Sequence, residues 1–149
     1  MAIDVKRRTE EICVNGNVLD YQAEITLIVQ AIIGEGCEIC CNYVNDCSRL
    51  EQTLDDTRPN RIWISVRKVR ATPIHIVWDI MHEFGHHRSG RPEREEVEDP
   101  VRRLRREEIA WDKALKQLED FPTLKLGMAD FLDYKDFCLF QYRKAAQNK

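Results

Sequence analysis

Apolar residues recur along this chain at two periods, and the switches between them divide it into elements. From about residue 18 to 33, Leu19, Ile25, Leu27, Ile28, Ala31 and Ile32 recur at helical spacing, and Gly34 and Gly36 end the run. Cys37-Glu38-Ile39-Cys40-Cys41-Asn42-Tyr43-Val44 reads as a strand. Residues 45 to 60 are polar, with Asp55 to Asn60 a loop. Arg61-Ile62-Trp63-Ile64-Ser65-Val66-Arg67-Lys68 alternates around β-branched and aromatic residues, which predicts a second strand. A helix is predicted over residues 73 to 87, with Thr72 as cap and Pro73 at its first position. At about 100° per residue, Ile74, Val77, Ile80, Met81 and Phe84 share one broad face of it.

Ser89-Gly90-Arg91-Pro92 stops that helix, and Glu93 to Glu98 reads as a charged connector. Asp99-Pro100 opens the next helix, whose apolar stripe is Val101, Leu104, Trp111, Ala114, Leu115 and Leu118. Residues 122 to 146 form one or two C-terminal helices carrying Leu124, Leu126, Met128, Phe131, Leu132, Phe137, Leu139 and Phe140. The predicted class is α+β.

The helix over 73 to 87 also holds His82-Glu83-Phe84-Gly85-His86, an H-E-x-x-H pattern. Histidines at this spacing share a helix face, with Cβ atoms about 5–6 Å apart. Their ring nitrogens can converge on one zinc at about 2.0–2.1 Å. Both fall opposite the apolar face, so the helix is pinned by its back and offers its histidines to a cleft. Glu83 is placed to take a proton from the water that the metal activates.

A catalytic zinc site needs a third protein ligand. His75 lies about two turns away on the helix, too far to share the ion, and His87 points toward the apolar side. Glu107 sits in the middle of the next helix's stripe, between Leu104 and Trp111. A carboxylate there is costly to bury unless it is paired or binds a metal. Glu107 is therefore the candidate third ligand, and Glu108, toward the stripe's other edge, is the runner-up. Arg102, Arg106, Lys113 and Asp120 lie well away from the stripe.

His82-Glu83-Phe84-Gly85-His86, Gly90 and Glu107-Glu108-Ile109-Ala110-Trp111-Asp112-Lys113-Ala114 together resemble the ImmA/IrrE family of small bacterial and phage metallopeptidases. The resemblance spans roughly residues 15 to 120, with its specific residues between 80 and 115. It implies a gluzincin-like zinc site of His82, His86 and Glu107, with Ala110 and Ala114 at small-residue positions. Trp111 departs from the Asn or Asp of many members, which leaves Asp112 or Asp79 to hydrogen-bond a ligand histidine. The implied architecture is a small zincin-like domain: an N-terminal helix, a short β-sheet with an edge strand, the HExxH helix, a third-ligand helix and C-terminal helices. The free edge of the strand over 61 to 68 would pair with substrate. The implied activity is hydrolysis of a peptide bond in a protein, such as a helix-turn-helix repressor on a separate chain.

Length and composition suit this reading. A single domain is expected for 149 residues, 1–149. Apolar residues make up 43% and charged residues 33%, as in soluble globular proteins. No apolar run approaches the roughly 18 residues of a membrane span, and the N-terminus lacks the apolar core of a signal peptide. A cytoplasmic location is expected, where disulfides are disfavoured. A net charge of −3 gives no global attraction to nucleic acid. The arginines between 102 and 106 have acids nearby and read as a solvated, ion-paired face, so direct nucleic-acid binding is not expected.

Cys37, Cys40, Cys41 and Cys47 could hold a second zinc, but the strand reading, with reduced cysteines packing as small hydrophobes, is favoured. The donor for the oxyanion is open among Tyr134, Tyr142 and Arg88. Two other functions stay open: a zinc-stabilised protein-binding module, and a DNA-associated metalloprotease.

Overall fold

The computed structural model describes residues 2–52, 57–66 and 72–148. The chain divides into two compact units, residues 1–84 and 85–149, and the division falls inside one continuous helix, α3 (His75–Arg88).

The first unit begins with a helix that the apolar pattern did not bring out, α1 (Ala2–Gly16). It is rich in charge, and its inward side sets Ile12 among small or weakly apolar residues. Thr9, Ile12, Cys13 and Gly16 are buried on it. A Cβ at Gly16 would meet the end of the Ile76 side chain, which would have to shift to admit it. The helix expected over 18 to 33 is split into a 3₁₀ turn, Leu19–Tyr21, and α2 (Gln22–Gly34). Ile25, Ile28, Val29 and Ile32 face inward, whereas Leu19 and Leu27 are exposed. Gly36, at φ +78°, lets the Cys37 N–H reach back to the Ile32 carbonyl at 3.1 Å and close the helix.

Three strands follow: β1 (Glu38–Asn42), β2 (Arg49–Glu51) and β3 (Arg61–Ser65). The order is β1-β3-β2. β1 runs parallel to β3, with Glu38 opposite Arg61 and Asn42 opposite Ser65. β2 runs antiparallel, with Arg49 opposite Trp63. This corrects one expectation. β3 is the central strand, so among the described residues both of its edges are taken and none is free for a substrate; the antiparallel edge belongs to β2. Beyond β2, the Ser65 N–H donates to Ser48 Oγ at 2.9 Å and the Ser65 hydroxyl to the Asn45 carbonyl at 2.6 Å. Part of the expected 55–60 loop, and Arg67 and Lys68 of the expected strand, lie outside the described residues.

α3 starts at His75, after a turn in which the His75 N–H bonds to the Thr72 carbonyl at 3.0 Å. Its apolar surface is wider than the predicted face. Ile76 and Trp78 are as buried as Val77, Ile80, Met81 and Phe84.

In the second unit, the connector expected over 93 to 98 is a short helix, α4 (Arg94–Glu98). The Glu93 N–H donates to the Glu96 carboxylate at 3.0 Å, half of a capping box. α5 (Pro100–Glu119) begins as predicted: the Asp99 carboxylate accepts the Val101 N–H at 3.1 Å, and Pro100 takes the first turn. The C-terminal region is α6 (Pro122–Lys125) and α7 (Met128–Gln147). Ala110, Trp111, Ala114 and Leu118 of α5 are buried, while Val101 is exposed. Trp111 meets the rings of Phe131 and Tyr134 edge-on, at 5.6 and 6.0 Å between centroids. Leu126, Phe137 and Phe140 lie on the exposed side, against expectation for such large apolar groups. Among the described residues, no helix is long and apolar enough to cross a membrane.

Candidate metal centre

His82 and His86 stand one turn apart on α3, and Glu107 stands near the middle of α5. Among the described residues these three form a group whose ligand atoms all lie within 4.8 Å of one another. Tetrahedral ligands at about 2.0–2.2 Å from zinc are roughly 3.3–3.6 Å apart, so the group is of a size that could hold one metal ion after side-chain rotation. Two imidazoles and a carboxylate are also the donor types that zinc accepts. His86 Nε2 and Glu107 Oε2 are already in direct contact. Glu107 is only 8% exposed, and a carboxylate at that depth needs such a partner. Glu108 is half-buried and is not part of the group.

Glu83 is buried as well, with its Oε1 3.5 Å from His82 Nδ1. The approach of α3 to α5 depends on Gly85. A Cβ at that position would collide with the backbone of Ala110. Gly85 inside the motif and the alanine three residues after Glu107 are therefore one feature: two backbones packed without side chains between them.

The remaining candidates separate clearly. Tyr142 on α7 is the tyrosine placed against a ligand, with its hydroxyl within hydrogen-bonding reach of both Glu107 and Arg103. Burial pushes its pKa up to about 12; the Glu107 charge and hydrogen bond add to this, and Arg103 opposes it. Tyr134 instead packs on Trp111. Arg88 is exposed at the end of α3, and its carbonyl accepts from Lys113 Nζ at 3.4 Å. Trp111 serves the packing of α5 on α7. Asp112 is exposed, whereas Asp79 is buried one turn before His82 and accepts from Ser48 Oγ at 3.4 Å. Asp79 is thus the better placed of the two acids to support a histidine.

Neither His75 nor His87 joins the group. The cysteines do not form a second one among the described residues. Cys40 and Cys41 are adjacent on β1, and adjacent strand residues point to opposite faces. Cys37 and Cys41 are buried, and Cys47 is exposed. The arginines of α5 are mostly engaged: Arg102 with Asp99 at 3.8 Å, and Arg106 with Glu96 at 3.9 Å and with the Gly90 carbonyl at 2.5 Å. Arg106, expected well away from the buried stripe, is largely covered by these partners.

Arg103 was legible only as one of a basic cluster. Its guanidinium lies 5.2 Å from the centroid of the Tyr142 ring, four residues before Glu107 on the same helix. That i, i+4 spacing was the available signal.

No protein-family model, curated protein or solved structure matches this chain.

Proposed function

We propose that this protein is a zinc-dependent metallopeptidase of zincin-like type, acting on a peptide bond in a protein substrate. One observation carries the reading: His82, His86 and Glu107 bring their ligand atoms together, with Glu83 buried beside the first histidine. A binding module that used zinc only as a staple would have no need of Glu83.

A zinc ion in this ligand set supplies Lewis acidity, polarising a carbonyl and lowering the pKa of water toward about 7. The chain's own residues do the rest. Glu83 accepts a proton from the attacking water as the new C–O bond forms. It then gives that proton to the leaving nitrogen as the C–N bond breaks, so the products are a carboxylic acid and an amine and the Glu83 carboxylate is restored. His82 and His86 would hold the ion through neutral imidazoles, and Glu107 would hold it through its carboxylate. The proposed substrate is a regulatory protein of the repressor type, in keeping with the resemblance carried by the motif residues.

Elemental analysis of protein purified without added metal tests the site first. Wild type and Glu83→Gln should both carry about one zinc per chain, and His82→Ala or His86→Ala should carry far less. Glu83→Gln should then fail to cleave a repressor that wild type cuts. A Glu83→Gln variant as active as wild type would remove Glu83 as the base.

A further inference from the structure

The side chain that orients a metal ligand is as much a part of a metal site as the ligand itself. Glu107 has such a neighbour. Tyr142 reaches it from α7, and Arg103 reaches Tyr142 from the turn of α5 that precedes Glu107. The chemistry of the three groups allows one arrangement of protons. A guanidinium only donates, a carboxylate only accepts, and a phenol has one hydrogen to give. Arg103 must therefore donate to the Tyr142 oxygen, and the Tyr142 hydroxyl must donate to the Glu107 carboxylate.

We infer that Arg103 and Tyr142 form a relay that positions Glu107 as the third metal ligand. Tyr142 holds the carboxylate whose Oε2 already meets His86. Arg103 lies over the Tyr142 ring and fixes its orientation, so the phenol cannot swing toward the cleft of about 410 Å³ that both residues line. All three side chains belong to the second compact unit, on two helices that the Trp111–Phe131 contact holds together. Tyr142 is a positioning residue in this scheme, acting on the metal through Glu107. The inference rests on the metal-centre reading above.

The test is zinc affinity, measured by competition with a chromophoric chelator on the full chain. Outer-shell partners of metal ligands typically contribute about 10–100-fold to affinity. Tyr142→Phe should weaken zinc by about tenfold or more, with apo-protein thermal unfolding unchanged. Arg103→Ala should weaken it less, and Arg103→Lys, which keeps a donor, should recover most of that loss. Because the two residues act in series, the double variant Arg103→Ala/Tyr142→Phe should bind no more weakly than Tyr142→Phe alone. Unchanged affinity in Tyr142→Phe, or additive losses in the double variant, would overturn the relay while leaving the metal centre intact. Wild-type protein that takes no zinc would remove the metal centre and the relay together. If Tyr142→Phe does not fold, Arg103→Ala decides, since its side chain is exposed and removable: normal zinc affinity there would overturn the relay.

Discussion

Glu107 and Glu108 are neighbours of the same chemistry, and one rotation of about 100° around α5 separates their fates. Glu107 is carried inward to His86, while Glu108 stays half-buried outside the ligand group. On the proposed reading, Glu107→Ala should cut zinc affinity by orders of magnitude, because it removes the proposed third ligand and the carboxylate that meets His86. Glu108→Ala should change it little. A titration of both variants checks the order, and the reverse order would move the third ligand by one residue. Glu107→Gln should fall between wild type and alanine, since an amide oxygen can still bind weakly but carries no charge.

At the scale of elements, the site depends on how closely two helices approach. Gly85 and Ala110 let the backbone of α3 come against that of α5, and the collision that a Cβ at 85 would make is with backbone atoms, which cannot rotate away. Gly85→Ala should therefore separate the helices, with an overpacking cost of about 1–3 kcal/mol. Because His86 follows Gly85 directly, the same variant should lose zinc affinity along with stability. Chemical denaturation and a zinc titration measure the two effects. A variant with wild-type stability and affinity would show that the approach of α3 and α5 is not limiting. Trp111 acts on the other side of α5, edge-on to Phe131 and Tyr134. Its ring anchors α7, the helix that carries Tyr142.

For the whole molecule, three of the cysteines, Cys13, Cys37 and Cys41, are buried. Burial pushes Cys37 and Cys41 up to about 12 and Cys13 up to about 11, from an ordinary value of 9.0. A thiol whose pKa is raised by folding holds its proton more tightly in the native state. Its contribution to stability is whole below the unfolded value and is lost as pH climbs through the folded one. Thermal stability should thus decline from about pH 9 upward, and Cys37→Val should flatten that decline. A melting temperature independent of pH between 8 and 11 would contradict this. At neutral pH, Cys47, which is exposed, should react first with a disulfide reagent, and Cys13, Cys37 and Cys41 only on unfolding.

Some of this was decided locally and could be read from the residues alone. The Asp99-Pro100 start of α5 is local chemistry, a cap and a fixed φ, and it appears where the sequence places it. The histidine pair of α3 is likewise set by helical period, and Glu107 drew attention because a carboxylate in an apolar stripe demands a partner. What depends on distant parts of the chain was not legible. α1 was missed because Ile12 is joined on its buried side by Thr9, Cys13 and Gly16, residues whose inward role appears only against Ile76 and the other elements of its unit. The central place of β3 was hidden because β2 is only three residues long, too short for alternation to signal a strand. Leu19, Leu27, Phe137 and Phe140 look like core residues and are exposed, since period alone does not say which neighbours arrive to cover them. Sequence by itself singled out the candidate ligands, the proposed base and the helices that carry them, because those follow from spacing and from the cost of burying charge. Tertiary structure decided that Glu107 meets His86, that Gly85 meets Ala110, and that Tyr142 and Arg103 stand behind the carboxylate, because each of these is a contact between residues far apart along the chain or on different helices.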